Sequence, residues 1–166
     1  MKKSIFLIIW ARPNFYQTLI FLANHLSKKG YKVSIYCIKN RSVKTLTNNL
    51  NFIKNCKIKN NSFYFKTNNF LLNILNLFFF IIYCLVDFLK KNPKNVIFFN
   101  QKALYCQYLF NFFKKKNDIF IYHNFDFEHP KNIKVFMENL KSKIEIYLSN
   151  YSDYFIFPSK GRADAY

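Results

Sequence analysis

The chain has 166 residues and a mass of 20.1 kDa, the usual size of one domain and enough for a hydrophobic core. Hydrophobic residues make up 51%, which excludes a disordered chain, and two glycines with four prolines exclude collagen-like or linker-rich designs. Within a net charge of +18, lysine outnumbers arginine 23 to 3, and residues 1–117 carry all of the excess. Such lysine-rich charge fits an anionic membrane surface at least as well as it fits nucleic acid.

Short apolar runs alternate with helical patterns. Runs at 4–10 and 31–38, with a helix at 15–29 closed by Gly30 between them, predict a βαβ unit. The later predictions are helices at 43–50, 70–89, 101–116 and 133–150, and strands at 62–66, 95–100, 118–123 and 154–157. This alternation predicts a single Rossmann-like α/β domain over 1–166, with a doubly wound, mostly parallel sheet flanked by helices.

The cysteines indicate a reducing compartment. Cys37, Cys56, Cys84 and Cys106 have no metal-ligand spacing and lie in or beside apolar segments, so buried thiols are expected. The apolar run near the N-terminus is shorter than the core of a signal peptide, and a first strand is the better interpretation. We therefore expect a cytoplasmic protein.

The apolar segment 70–89 is long enough to span a bilayer. Its polar side chains Asn73, Asn76, Tyr83 and Asp87 fall within an arc of roughly 80° on a helix. Three interpretations are open: a helix lying in the membrane interface, a core helix packed on the sheet, and a transmembrane span. Flanking lysines (Lys66, Lys90, Lys91 and Lys94) favour the first, at the inner face of an anionic cytoplasmic membrane.

Several common catalytic motifs are missing from the sequence. It has no Walker A, G-x-G-x-x-G, H-E-x-x-H or G-x-S-x-G pattern. Ligands of doubly wound sheets bind beyond the carboxyl ends of the strands. The candidate binding residues at those ends are Arg12, Asn14, Phe15, Asn100, Gln101 and Arg162.

Two histidines and two acids lie within the seven residues 123–129, at the end of the strand at 118–123 and in the predicted loop after it. They are His123, Asp126, Glu128 and His129. A histidine with a nearby carboxylate can act as a general base on a hydroxyl group. The alternative is a solvated loop with a capping aspartate, and spacing alone favours that alternative slightly.

Three segments follow one another in the order of a known family. The first, IFLIIWARPNFYQTLIFLANHLSKKGYKVSIYC, carries an L-x-x-x-G-Y-x-V pattern, the second is DIFIYHNFDFEHP, and the third is SDYFIFPSKGRADAY. Together they resemble the N-terminal half of GT-B glycosyltransferases of the family 4 type. The matching residues are Leu26, Gly30, Tyr31 and Val33 in the first segment, and Asp153, Pro158, Ser159, Arg162 and Ala163 in the third.

The resemblance implies the acceptor-side half of a hexosyltransferase in polysaccharide biosynthesis. Such an enzyme moves a sugar from a nucleotide-sugar donor to a lipid-linked or glycan acceptor, with no cofactor and no required metal. It implies that His123, or failing it His129, deprotonates the acceptor hydroxyl while Asp126 orients the base. The residues that would bind substrate in the cleft are Arg12, Asn14, Phe15, Asn100, Gln101, His129 and Arg162.

This chain departs from the family pattern in three ways. Residues 11–14 replace the glycine-rich first loop, and Phe125 precedes Asp126 where the family often has histidine. The donor-binding C-terminal half is missing from the sequence, so we expect no activity without that half in cis or as a separate subunit.

Two hypotheses compete with the enzyme. The first is a non-catalytic basic protein that binds a membrane surface. Nucleic acid ranks lower as a partner, because there is no arginine-rich recognition helix and the aromatic residues mostly lie in apolar runs. The second is a remnant reading frame without function.

Overall fold

The computed structural model describes residues 4–10, 17–38, 56–61, 69–123 and 136–156. Its strands are β1 (Ser4–Ile9), β2 (Lys32–Ile38), β3 (Cys56–Asn61), β4 (Asn95–Phe99), β5 (Ile119–His123) and β6 (Tyr154–Ile156). Its helices are α1 (Gln17–Lys28), α2 (Phe70–Lys91), α3 (Ala103–Asn111) and α4 (Phe136–Ser149). These elements confirm the predicted α/β class.

The six strands form one sheet in the order β3-β2-β1-β4-β5-β6, and every neighbouring pair is parallel. This order confirms the predicted Rossmann-like, doubly wound sheet. Its topological switch point lies between β1 and β4, where the chain turns from one half of the sheet to the other.

Both faces of the sheet are covered, which explains why the central strands are continuous apolar runs. In β1, Phe6 and Ile8 point to a core shared with α2, α3 and α4, whereas Ile5, Leu7 and Ile9 point to a core shared with α1. Aromatic rings dominate the first of these cores. Its rings include Phe80, Phe88, Phe98, Phe110 and Phe120.

Helix α1 ends in a Schellman motif. The N–H of Tyr31 bonds to the carbonyl of Leu26 at 3.1 Å, and the N–H of Gly30 bonds to that of Ser27 at 3.0 Å. Gly30 has φ +87°, a left-handed conformation that costs any residue with a Cβ. The motif turns the chain back toward the sheet so that β2 can begin at Lys32.

We expect Gly30→Ala to lower the free energy of unfolding by about 1 kcal/mol. No atom lies within 4 Å of a Cβ built at this position, so the cost is conformational and not steric. Gly30→Asn should cost less, because asparagine tolerates the left-handed region. Urea denaturation of the three proteins measures the difference, and an alanine variant as stable as wild type would contradict the left-handed turn.

Three predicted elements differ from the structure or cannot be compared with it. The third strand lies at Cys56–Asn61, whereas the predicted 62–66 falls outside the described residues, as does the helix at 43–50. Helix α3 ends at Asn111 and not at 116, because its last turn tightens into bonds between residues three apart. The cysteines behave as expected for thiols: Cys37, Cys84 and Cys106 are buried and Cys56 is half-buried.

Candidate functional site

The carboxyl ends of β1, β4 and β5 meet at the switch point of the sheet. Trp10 follows β1, Asn100 follows β4 and His123 ends β5. Asn100 joins all three strand ends, because its side-chain N–H donates to the Trp10 carbonyl at 3.3 Å and its backbone N–H to the His123 carbonyl at 3.4 Å. Two of the predicted site residues, Asn100 and His123, are thus brought together.

Asn100 also bonds to the first residue of helix α3. Its Oδ1 accepts from the backbone N–H of Ala103 at 3.2 Å, and its φ of 72° is a left-handed value that asparagine adopts more readily than most residues. Both ends of its side-chain amide therefore have structural partners. A substrate contact by Asn100 stays a prediction.

Two lysines and a tryptophan border the same edge. The Lys102 ammonium lies 5.7 Å from the centroid of the Trp10 ring, and burial together with the charge of Lys141 lowers the pKa of Lys102. Gln101, a predicted binding residue, donates from Nε2 to the Lys141 carbonyl at 2.6 Å. This bond ties the start of α3 to α4.

His123 is buried at the end of β5. Its imidazole stacks on the Phe99 ring with 5.1 Å between centroids and 17° between planes. Burial lowers the pKa of the imidazole, which keeps the ring neutral at pH 7, the form that a general base requires. Its catalytic role stays a prediction.

The remaining predicted site residues lie outside the described part of the chain. They are Arg12, Asn14, Phe15, Asp126, His129 and Arg162. Within the described part, no group of three histidine, cysteine, aspartate or glutamate side chains is placed to hold a metal ion.

A second polar cluster, which we call the Asp87 cluster, comprises Asp87 of α2, Lys91 of α2, Lys59 of β3 and Tyr36 of β2. Oδ2 of Asp87 accepts from Lys59, from Lys91 at 2.9 Å and from the Tyr36 hydroxyl at 2.8 Å. Burial alone would raise the pKa of Asp87, but these donors outweigh it and lower the pKa to about 2.

Sequence reasoning placed Asp87 on a polar stripe of the helix and missed this cluster. One signal was available: Asp87 is the only acidic residue among residues 1–117, which carry 20 basic ones. A single carboxylate in so basic a segment attracts several lysine ammonium groups, so ion pairs with Asp87 could have been expected.

Helix α2 contacts the sheet along one side only. Asn76, Phe80, Ile81, Cys84 and Phe88 are its buried residues. The rest of its apolar surface, which we call the apolar face of α2, is exposed and consists of Phe70, Leu71, Leu72, Ile74, Leu75, Phe78, Phe79, Ile82, Val86 and Leu89. By length and composition the helix could cross a membrane. Only 17% of its most apolar 18-residue stretch is buried in the fold. A core helix would bury most of it.

Comparison with known proteins returns little. No family model matches the chain, and no curated protein matches it. Among solved structures, a phenylacrylic acid decarboxylase from Aquifex aeolicus is similar in fold, with a TM-score of 0.42 and 13% sequence identity. The alignment covers 96% of this chain and 82% of that chain. Similarity at this level assigns no activity to this chain.

The prediction of a GT-B glycosyltransferase of the family 4 type is wrong. No family model and no curated protein matches the chain, and no comparison supports sugar transfer. The predictions of hexosyltransferase activity and of a role in polysaccharide biosynthesis, which depended on that resemblance, are therefore also wrong.

Four of the residues that carried the resemblance have structural roles in this fold, whereas Pro158, Ser159, Arg162 and Ala163 lie outside the described residues. Leu26, Gly30 and Tyr31 form the Schellman turn of α1, which a βαβ unit can use whatever its function. Asp153 accepts from the backbone N–H of Phe120 at 2.7 Å and from Lys114 at 2.6 Å, which fixes β6 beside β5. These residues are explained by the fold of this chain, so they are no evidence for sugar transfer.

Proposed function

We propose that this chain is a membrane-surface-binding domain whose helix α2 lies in the interface of an anionic membrane, at its cytoplasmic face. The observation that carries the proposal is the apolar face of α2. A contiguous exposed patch of large apolar side chains is unusual on a soluble monomer, and such patches mark sites of membrane or protein contact.

Charge decides in favour of a lipid occupant. The chain has a net charge of +18, and Lys90, Lys91 and Lys94 lie at the C-terminal end of α2 with exposed side chains. Each lysine near an anionic surface contributes roughly 1 kcal/mol to binding. The apolar face would enter the boundary between head groups and acyl chains while these lysines engage the head groups.

The packing of α2 supports a surface orientation over a span. Phe80 and Phe88 on its buried side contact the core that includes Phe98 and Phe110. A spanning helix would have to leave the sheet and expose that core to water. A helix lying flat keeps its inner side on the sheet and offers only its outer side to lipid.

Co-sedimentation with vesicles tests the proposal. We expect strong binding to vesicles that contain phosphatidylglycerol and weak binding to pure phosphatidylcholine, with the difference shrinking as salt rises, because screening weakens the lysine contribution. Alkaline carbonate should release the bound protein, as it does for surface-bound proteins. Failure to bind either vesicle would contradict the proposal, and resistance to carbonate would contradict the surface orientation.

A further inference from the structure

We propose that the two lysines of the Asp87 cluster form a binding site for a phosphate group, either on a lipid head group or on a free phosphorylated ligand. The inference goes beyond membrane binding and does not depend on it, because a soluble phosphate can be tested without vesicles.

The first step of the argument is the unbalanced charge. Lys59 and Lys91 both donate to the same oxygen, Oδ2 of Asp87. Two hydrogen bonds to one atom place the two ammonium nitrogens within about 6 Å of each other. Two positive charges at that separation share one negative charge, so the cluster carries an excess of one positive charge. A second anion at this point relieves the repulsion between the ammonium groups.

The second step is that the two lysines are held in place before any ligand arrives. The Lys59 ammonium lies 5.6 Å from the centroid of the Tyr36 ring, and the Lys91 ammonium lies 5.8 Å from that of Phe6. The Tyr36 hydroxyl fixes the carboxylate between them. A ligand therefore loses little affinity to the ordering of these side chains.

The third step concerns the access of an anion to the two lysines and the number of hydrogen-bond donors that they can offer it. The side chains of Lys59 and Lys91 are 24% and 38% exposed, so an anion can reach both of them. Each ammonium has three N–H donors, of which one serves Asp87. A phosphate monoester has three outer oxygens and close to two negative charges, so it can accept from both lysines at once. Chloride has only one atom and one negative charge, so the site should bind phosphate more tightly than chloride.

Titration with inorganic phosphate at constant chloride, followed by amide chemical shifts, tests the site. We expect Lys91→Met to weaken phosphate binding about tenfold or more, because it removes a charge-assisted hydrogen bond from the ammonium group to the phosphate. Lys28→Met removes the same charge from an exposed side chain at the end of α1, which packs on the other face of the sheet, and should change the affinity less than about twofold. Asp87→Asn keeps the shape of the cluster but removes its negative charge, so it should bind phosphate more tightly.

Vesicles distinguish the source of the phosphate. Preference for phosphatidic acid over phosphatidylglycerol at equal surface charge, lost in Lys91→Met, identifies a lipid head group. Saturable binding of free phosphate without that preference identifies a soluble ligand. Equal losses in Lys28→Met and Lys91→Met, or no phosphate binding in either arm, would overturn the site while leaving the apolar face of α2 untouched.

Discussion

Phe88→Ala is expected to lower the free energy of unfolding by about 3–5 kcal/mol. The Phe88 side chain is 1% exposed, its ring stacks on Phe110 at 4.4 Å between centroids, and it meets the edge of Phe120 at 6.1 Å. Truncation leaves a cavity between α2, α3 and the sheet that backbone movement closes only in part. Because small domains are stable by roughly 5–15 kcal/mol, the loss is a large fraction of the total, and urea denaturation followed by circular dichroism measures it.

Leu89→Ala supplies the matched control one residue away. Leu89 is 50% exposed on the apolar face of α2, so its truncation in the water-soluble protein should change stability by less than about 1 kcal/mol. If the two substitutions had equal effects, α2 would not be docked on the sheet through Phe88. That result would also remove the structural argument against a transmembrane span.

Much of the fold could be predicted from sequence because the central strands are buried on both faces. Strands β1, β4 and β5 appear in the sequence as short apolar runs, and their order with the helices indicates a parallel sheet. The third strand was predicted at 62–66, whereas β3 lies at Cys56–Asn61, where the sequence is only weakly apolar. In its sequence CKIKNN only Cys56 and Ile58 are apolar, and they alternate with the lysines of the other face.

The orientation of α2 could not be predicted from its own sequence. Helical periodicity gives the angle between the polar stripe and the apolar residues, but it does not say which side meets the sheet. In the structure Asn76 is buried and Asp87 bonds to Lys59, a residue 28 positions earlier in the unpredicted strand β3. Because β3 was not predicted at Cys56–Asn61, Lys59 could not be recognised as a partner of Asp87, and the Asp87 cluster was not predicted.

The candidate residues at the carboxyl edge could be found in part for a general reason. Parallel strands end together, so Asn100 and His123 had to lie near each other once β4 and β5 were recognised. The sequence could not indicate that the Asn100 side-chain amide would form hydrogen bonds with the backbone of Trp10 and Ala103. Such bonds depend on the left-handed backbone of Asn100, which no apolar pattern encodes.

A triple substitution on the apolar face of α2, Leu75→Gln, Phe78→Gln and Ile82→Gln, is expected to weaken binding to anionic vesicles about a hundredfold. These side chains are 46%, 55% and 40% exposed in the fold, so each transfers only part of its surface to lipid, roughly 1 kcal/mol per residue. Glutamine preserves helix propensity, so the variant should fold as wild type does. Co-sedimentation over a range of lipid concentrations measures the affinity.

The control removes three exposed phenylalanines elsewhere, by Phe21→Gln, Phe112→Gln and Phe113→Gln. These side chains are 70%, 70% and 47% exposed, on α1 and just beyond α3. If the apolar face of α2 is the membrane contact, this variant keeps its affinity within about threefold, because it loses at least as much exposed apolar surface from the wrong places. Equal losses in the two variants would mean non-specific adsorption of a hydrophobic chain. A selective loss in the α2 variant, with the lysines unchanged, would mean that charge alone does not hold the protein on the membrane.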